Sequence, residues 1–128
     1  MNKMESKMPK VSVIISAFNH EKYIADSINS VLNQTYKNFE IIVINDGSTD
    51  NTSIIIGEIA NENKDKITFI DHKVNQRPKL SGNEGISLAK GQFIAFNDGD
   101  DIWYPTKLEK QMQMFEHDIL QKIGLVYC

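Results

Sequence analysis

The sequence predicts an α/β fold built on a parallel sheet, and three observations predict it. Short β-branched runs such as VSVIISAF, Val11 to Phe18, have the composition of strands buried on both faces. Segments whose apolar residues recur at helical spacing separate them. Polar clusters rich in Asn, Asp, Gly and Ser follow the strands as turns. Strands alternating with helices close into a parallel sheet through right-handed crossovers. A length of 128 residues with 41% hydrophobic content suits one domain with a single core.

The elements follow in order. Residues 1–9 read as a disordered lead-in ending at Pro9, and residues 10–128 as the folded part. Val11 to Phe18 is the first strand. Ile24, Ile28, Val31 and Leu32 give residues 21–33 one apolar helical face. Phe39 to Ile44 is the second strand. NDGSTDNT is then a turn with several candidate N-caps for a helix faced by Ile55, Ile56, Ile59 and Ala60. Ile67 to Ile70 is a short third strand, and residues 72–83 read as a polar loop. Ile86 to Lys90 is a short helix closed by Gly91, and Gln92 to Phe96 is the fourth strand. NDGDDIWYP is a loop, after which Pro105 fits the first turn of a helix carrying Leu108, Met112, Phe115 and Ile119. Gly124 to Cys128 begins a fifth strand. The chain stops inside that apolar signal, so the sequence reads as the front part of a longer protein.

Composition excludes several functions. The net charge is −3 and the isoelectric point near 5.6, which argues against a sequence-independent nucleic-acid binder. A single cysteine, Cys128, excludes an internal disulfide framework and a cysteine-rich zinc site, and fits a reducing compartment. No apolar run approaches the roughly 20 residues that cross a bilayer. The polar start MNKMESKMPK lacks the apolar stretch of a signal peptide. The expected location is cytoplasmic, with peripheral association at the inner face of a membrane left open.

In open α/β sheets ligands bind beyond the carboxyl ends of the strands. Three polar clusters fall there: Ser16, Ala17, Phe18 and Asn19; Asn45, Asp46, Gly47 and Ser48; and Asn97, Asp98, Gly99, Asp100 and Asp101. Three carboxylates within four positions repel one another unless water or a cation neutralises them, and oxygen ligands suit Mg²⁺, Mn²⁺ or Ca²⁺. The plain alternative is a solvated turn with an Asp cap. NDGSTD has a stronger one, because Ser48, Thr49 or Asp50 can simply cap a helix. Phe18 and Trp103 are equally good core residues. His20, His72 and His117 show no metal-ligand spacing and read as surface or capping residues. The P-loop, the G-x-G-x-x-G fingerprint after the first strand and the G-x-S-x-G elbow are all missing.

Taken together, the clusters resemble a known family. PKVSVIISAFNHEKYIADSINSVLNQTYKNFEIIVINDGSTDNT is similar to the opening of family 2 glycosyltransferases, and NEGISLAKGQFIAFNDGDDIWYPTKLEKQ to the segment around their D-x-D motif. The resemblance implies the GT-A fold, Rossmann-like, with a mostly parallel sheet and helices on both faces, here truncated after the D-x-D region. It implies that Ser16 to Phe18 cradle the uridine of a UDP-sugar, with Asn19 beside them. Asp46, with Gly47 and Ser48, would serve the uracil or ribose. Asp98 and Asp100 would serve the ribose and a Mn²⁺ or Mg²⁺ ion bridging the diphosphate, with Gly99 between them and Asp101 tuning the site. Asn83 matches the Asn of the family's R-N-x-G element. There Gly82 stands where the family often has Arg, so a phosphate or sugar contact is lost or passes to Lys79 or Arg77.

The reading that results is the donor-binding part of an inverting glycosyltransferase. The whole enzyme would transfer a sugar from a UDP-sugar to a glycan, glycolipid or glycoprotein acceptor. Its general base and acceptor elements are expected beyond Cys128, which makes transfer by this stretch alone unexpected. Surface that a missing half would cover makes a homo-oligomer the expected remedy. The alternative is a non-catalytic UDP-binding or assembly module. A metal-dependent phosphotransferase fits less well, because its usual nucleophilic Asp is absent from the end of the first strand.

Overall fold

The structure is a computed structural model that describes residues 9–75 and 78–117. Its eight elements alternate: β1 (Val11–Ala17), α1 (Ile24–Leu32), β2 (Phe39–Asp46), α2 (Thr52–Glu62), β3 (Ile67–His72), α3 (Pro78–Leu88), β4 (Phe93–Asp98) and α4 (Lys107–His117). The four strands pair in parallel in the order β3-β2-β1-β4. β1 is central and its isoleucines and valines are buried on both faces, as its continuous apolar run requires.

Alternation along the strands sorts the core into two layers. Val11, Val13, Ile15, Phe39, Ile41 and Val43 face α1, α2 and α4, packing on Ile24, Ile28, Val31, Ile56, Leu108, Met112 and Phe115. Burying each such aliphatic side chain contributes about 1.5–3 kcal/mol. Ile14, Ile42 and Ile44 face the other way. There α3 crosses, with Gly85 set so closely that a Cβ would lie 2.8 Å from Ile14 Cγ2 and 3.2 Å from Ile44 Cδ1. The helices therefore cover both faces of the sheet.

Gln34, fully buried just past α1, joins three parts of the chain. Its amide nitrogen donates to the carbonyls of Ser30 (3.0 Å) and Tyr104 (2.7 Å), and its Oε1 accepts the Leu108 amide at 2.9 Å. The start of α4 is thus capped by a side chain from α1's end.

Several expectations change. Much of the expected loop 72–83 is helix, since α3 begins at Pro78 and ends at Leu88. Gly91 does not close that helix. It lies against β1, where a Cβ would meet the Ser12 nitrogen at 2.7 Å. α1 starts later than residue 21, because residues 21–23 form turns. β2, β3 and β4 run on through Asp46, His72 and Asp98, placing polar residues inside the strand ends. Ile119, the fifth strand at Gly124 to Cys128 and the lead-in up to residue 8 lie outside the described residues.

Candidate functional site

The carboxyl ends of β1, β2 and β4 lie side by side. Ser16 is the register partner of both Asp98 and Ile44, Ala17 of Asn45, and Asp46 of His72. Strand alternation places Ser16, Asp46 and Asp98 on the face that α3 covers, and Ala17, Asn45 and Asn97 on the other. Asp46 is almost fully buried, Ser16 half-buried, and Phe18 exposed at 44%.

The loops after β1 and β2 are laced together. Asn19 adopts φ 54°, a left-handed conformation that Asn tolerates. Its amide donates to Ser48 Oγ at 2.9 Å, and its Oδ1 accepts the Thr49 amide at 2.8 Å. The His20 amide donates to Thr52 Oγ1 (2.9 Å), the Glu21 amide to Asp50 Oδ2 (3.3 Å), and the Asn51 amide to Glu21 Oε2 (3.2 Å). The N-cap position of α2 is Asn51, whose side chain makes no capping bond; Asp50, one residue earlier, accepts the Thr52 amide at 2.9 Å and the Thr52 hydroxyl. Burial raises its carboxyl pKa, but the hydrogen bonds from Thr52 and Glu21 outweigh it and hold the group below its ordinary value.

Gly47 turns the chain at the end of β2 with φ 75°. Residues 74–75 pass directly over it, and the Asn75 side chain donates to the Asp46 carbonyl at 3.2 Å. Beside it lies a polar knot that the sequence reading missed. Asp71 accepts from Asn45 Nδ2 (2.7 Å), Ser53 Oγ (2.8 Å) and Lys73 Nζ (3.1 Å), and Asn45 Oδ1 in turn accepts the Ser48 hydroxyl. Burial again pushes the Asp71 carboxyl upward, and those hydrogen bonds and the Lys73 charge more than reverse it, so its pKa is lowered. The available signal was the pair of polar residues closing β2, β3 and β4: Asn45–Asp46, Asp71–His72 and Asn97–Asp98.

At the end of β4, Asp98, Asp100 and Asp101 each offer a carboxylate oxygen, and these oxygens lie within 4.8 Å of one another on the surface. The Gly99 amide donates to the Ser16 carbonyl at 2.8 Å and the Asp101 amide to the Asp98 carbonyl at 3.1 Å, which turns the loop back on itself. Beneath it, Asn97 Nδ2 donates to Ser27 Oγ at 3.1 Å and to the Asp101 carbonyl at 3.3 Å, while its buried Oδ1 has no partner among the described residues. No described cation pairs with the three carboxylates; the ion pairs among the described residues are His72–Glu84 and Lys73–Asp71. An all-oxygen, uncompensated donor set fits a hard divalent cation.

Asn83 is not part of this cluster. It is exposed on α3 beside Glu84, whose carboxylate lies 2.6 Å from His72 Nε2. Arg77 and the Lys79 side chain lie outside the described residues.

The model of "Glycosyl transferase family 2" matches residues 12–121. The chain belongs to glycosyl transferase family 2. It is 44% identical over 117 residues to EpsE of Bacillus subtilis (strain 168), which bears a provisional glycosyltransferase name, covering 91% of this chain and 42% of that protein. It is 46% identical over 108 residues to an uncharacterized glycosyltransferase of Haemophilus influenzae, covering 84% of this chain and 33% of the relative. Among solved structures, the S. aureus TarS 1-349 complex with UDP superposes with a TM-score of 0.78 at 30% identity, over 86% of this chain and 33% of TarS 1-349. A TarS complex with UDP-GlcNAc gives 0.77. The mannosyltransferase PcManGT of Pyrobaculum calidifontis, in complex with GDP-Man and Mn²⁺, shares the fold at 21% identity and a TM-score of 0.77. The family 2 domain described here thus has the GT-A fold, and it spans between a third and about two-fifths of the relatives named. No helix among the described residues is long and apolar enough to cross a membrane.

Proposed function

We propose that this domain binds a UDP-sugar together with a divalent cation, as the donor site of an inverting glycosyltransferase. The whole enzyme would pass the sugar to a glycan, glycolipid or protein acceptor in the cytoplasm. The observation that carries the reading is the meeting of Ser16, Asp46 and Asp98 on one edge of the sheet, with three uncompensated carboxylates at its margin. The UDP and UDP-GlcNAc complexes of TarS support the nucleotide class.

On this reading Ser16, Phe18 and Asn19 form the wall against the uridine, and the exposed ring of Phe18 offers it an apolar face; the Ala17 side chain is buried in the core on the opposite face of the sheet, so only its backbone can take part. Asp46, held by the Gly47–Ser48 turn, accepts from the base or ribose. Asp98 and Asp100 hold Mn²⁺ or Mg²⁺, with Asp101 beside them and Gly99 letting the loop lie flat on β1. Bound there, the ion supplies neutralisation of the charge on the UDP leaving group. Asn83 lies on α3, a different element from these loops.

The test is a thermal-shift series. UDP with Mn²⁺ at a hundredfold excess over its dissociation constant should stabilise the fold by about 2.7 kcal/mol through mass action. UDP without metal should do less, and ADP with Mn²⁺ less still. Identical melting temperatures for UDP, ADP and no ligand would refute the proposal.

A further inference from the structure

His20 stands at the hinge between the first strand's loop and α1, and the donor-site reading gives it no role. Its carbonyl accepts the amides of Tyr23 and Ile24, and its own amide is held by Thr52, so the backbone is fixed on both sides. Its ring is pressed under the acidic loop. A Cβ on Gly99 would lie 2.6 Å from His20 Nδ1, so that nitrogen faces the loop backbone with nothing between them. Nδ1 is buried and has no hydrogen-bond partner among the described residues. Leaving such a group unpaired costs about 1–3 kcal/mol. Asn97 Oδ1, also beneath the loop, is likewise buried and has no partner among the described residues. The loop's backbone offers a donor close by. The amides of Gly99 and Asp101 are both bonded, whereas that of Asp100, one residue past the contact, has no partner among the described residues.

We propose that His20 is a positioning residue for cation binding: when the acidic loop closes on a divalent cation, Nδ1 accepts the Asp100 amide and fixes the Asp100 carboxylate toward the ion. This rests on the reading above that the loop takes Mn²⁺ or Mg²⁺. With the loop as it stands, the buried Nδ1 is left unpaired while the Asp100 amide, on an exposed residue, is free to turn toward it. Closure removes the Nδ1 penalty, so His20 favours the cation-loaded loop without touching the cation.

The test uses the full chain, Mn²⁺ alone and calorimetry. Asn places a polar atom where Nδ1 stands, whereas Gln places one where Nε2 stands. His20→Ala should weaken Mn²⁺ binding about tenfold with the metal-free melting temperature little changed. His20→Asn should bind within about twofold of the parent, and His20→Gln should behave like Ala. In ¹⁵N NMR, Mg²⁺ should shift the Nδ1 resonance and the Asp100 amide together. Parent-like affinity in His20→Ala, or equal rescue by Gln and Asn, would overturn the role of Nδ1 while leaving the cation site intact. Absence of Mn²⁺ binding by the parent chain would overturn both this inference and the donor-site reading.

Discussion

Replacing Gly47 with alanine perturbs the turn that presents Asp46. Two effects add. At φ 75° an L side chain is strained, by about 1–2 kcal/mol. The added Cβ would also lie 2.3 Å from the Asn75 nitrogen, 2.6 Å from the Val74 carbonyl carbon and 2.9 Å from the Asn75 Cα. These are backbone atoms, so no rotamer change relieves the clash and the strap at 74–75 must lift. Lifting it breaks the Asn75–Asp46 hydrogen bond, a further loss of about 1 kcal/mol. The total is about 2–3 kcal/mol, a fall in melting temperature of about 8–12 °C for a domain of this size. Gly82→Ala is the matched control. A Cβ there meets nothing within 4 Å, and the position is helical, so alanine should stabilise by about 0.5–1 kcal/mol. Circular-dichroism melts of both variants decide the matter. A Gly47→Ala melting temperature within 2 °C of the parent, or a loss for Gly82→Ala as large as for Gly47→Ala, would refute the reasoning.

The remaining predictions concern charge and burial. Asp100→Asn keeps the side-chain shape but removes a charged oxygen; UDP affinity by calorimetry should lose its dependence on Mn²⁺ while the melting temperature holds. Asp71 has a lowered pKa, so the stability it contributes is present above its unfolded value of 3.8 and is lost as pH falls through the lower folded value. Asp71→Asn should therefore flatten urea-measured stability against pH below about pH 4, and an unchanged acid limb would count against the knot around Asp71. Gln34→Ala strips the Leu108 amide and the Ser30 and Tyr104 carbonyls of a buried partner; about 2–4 kcal/mol should be lost in chemical denaturation.

Hydrophobic period made the strands and α1 legible, because Ile24, Ile28 and Val31 all bury on one face. The same criterion hid α3. Its segment PKLSGNEGISL is polar with two glycines, and it meets the sheet through Gly85, a residue whose contribution is the absence of a side chain. Periodicity registers which side chains avoid water; it does not register where two backbones come close. The site divides the same way. Its acidic residues were visible because Asn, Asp and Gly serve both turns and ligands, so composition alone marked the strand ends. What fixes their geometry was not visible. Asn19 with Ser48 and Thr49, His20 with Thr52, and Asn45 with Asp71 join residues 26 to 32 positions apart. Such pairs exist only once parallel pairing has brought successive strand ends together. Each β-α step of roughly that length returns the chain to the same edge, so polar residues closing different strands become neighbours. That recurrence is why one edge of the sheet holds the laced loops, the Asp71 knot and the acidic triplet together.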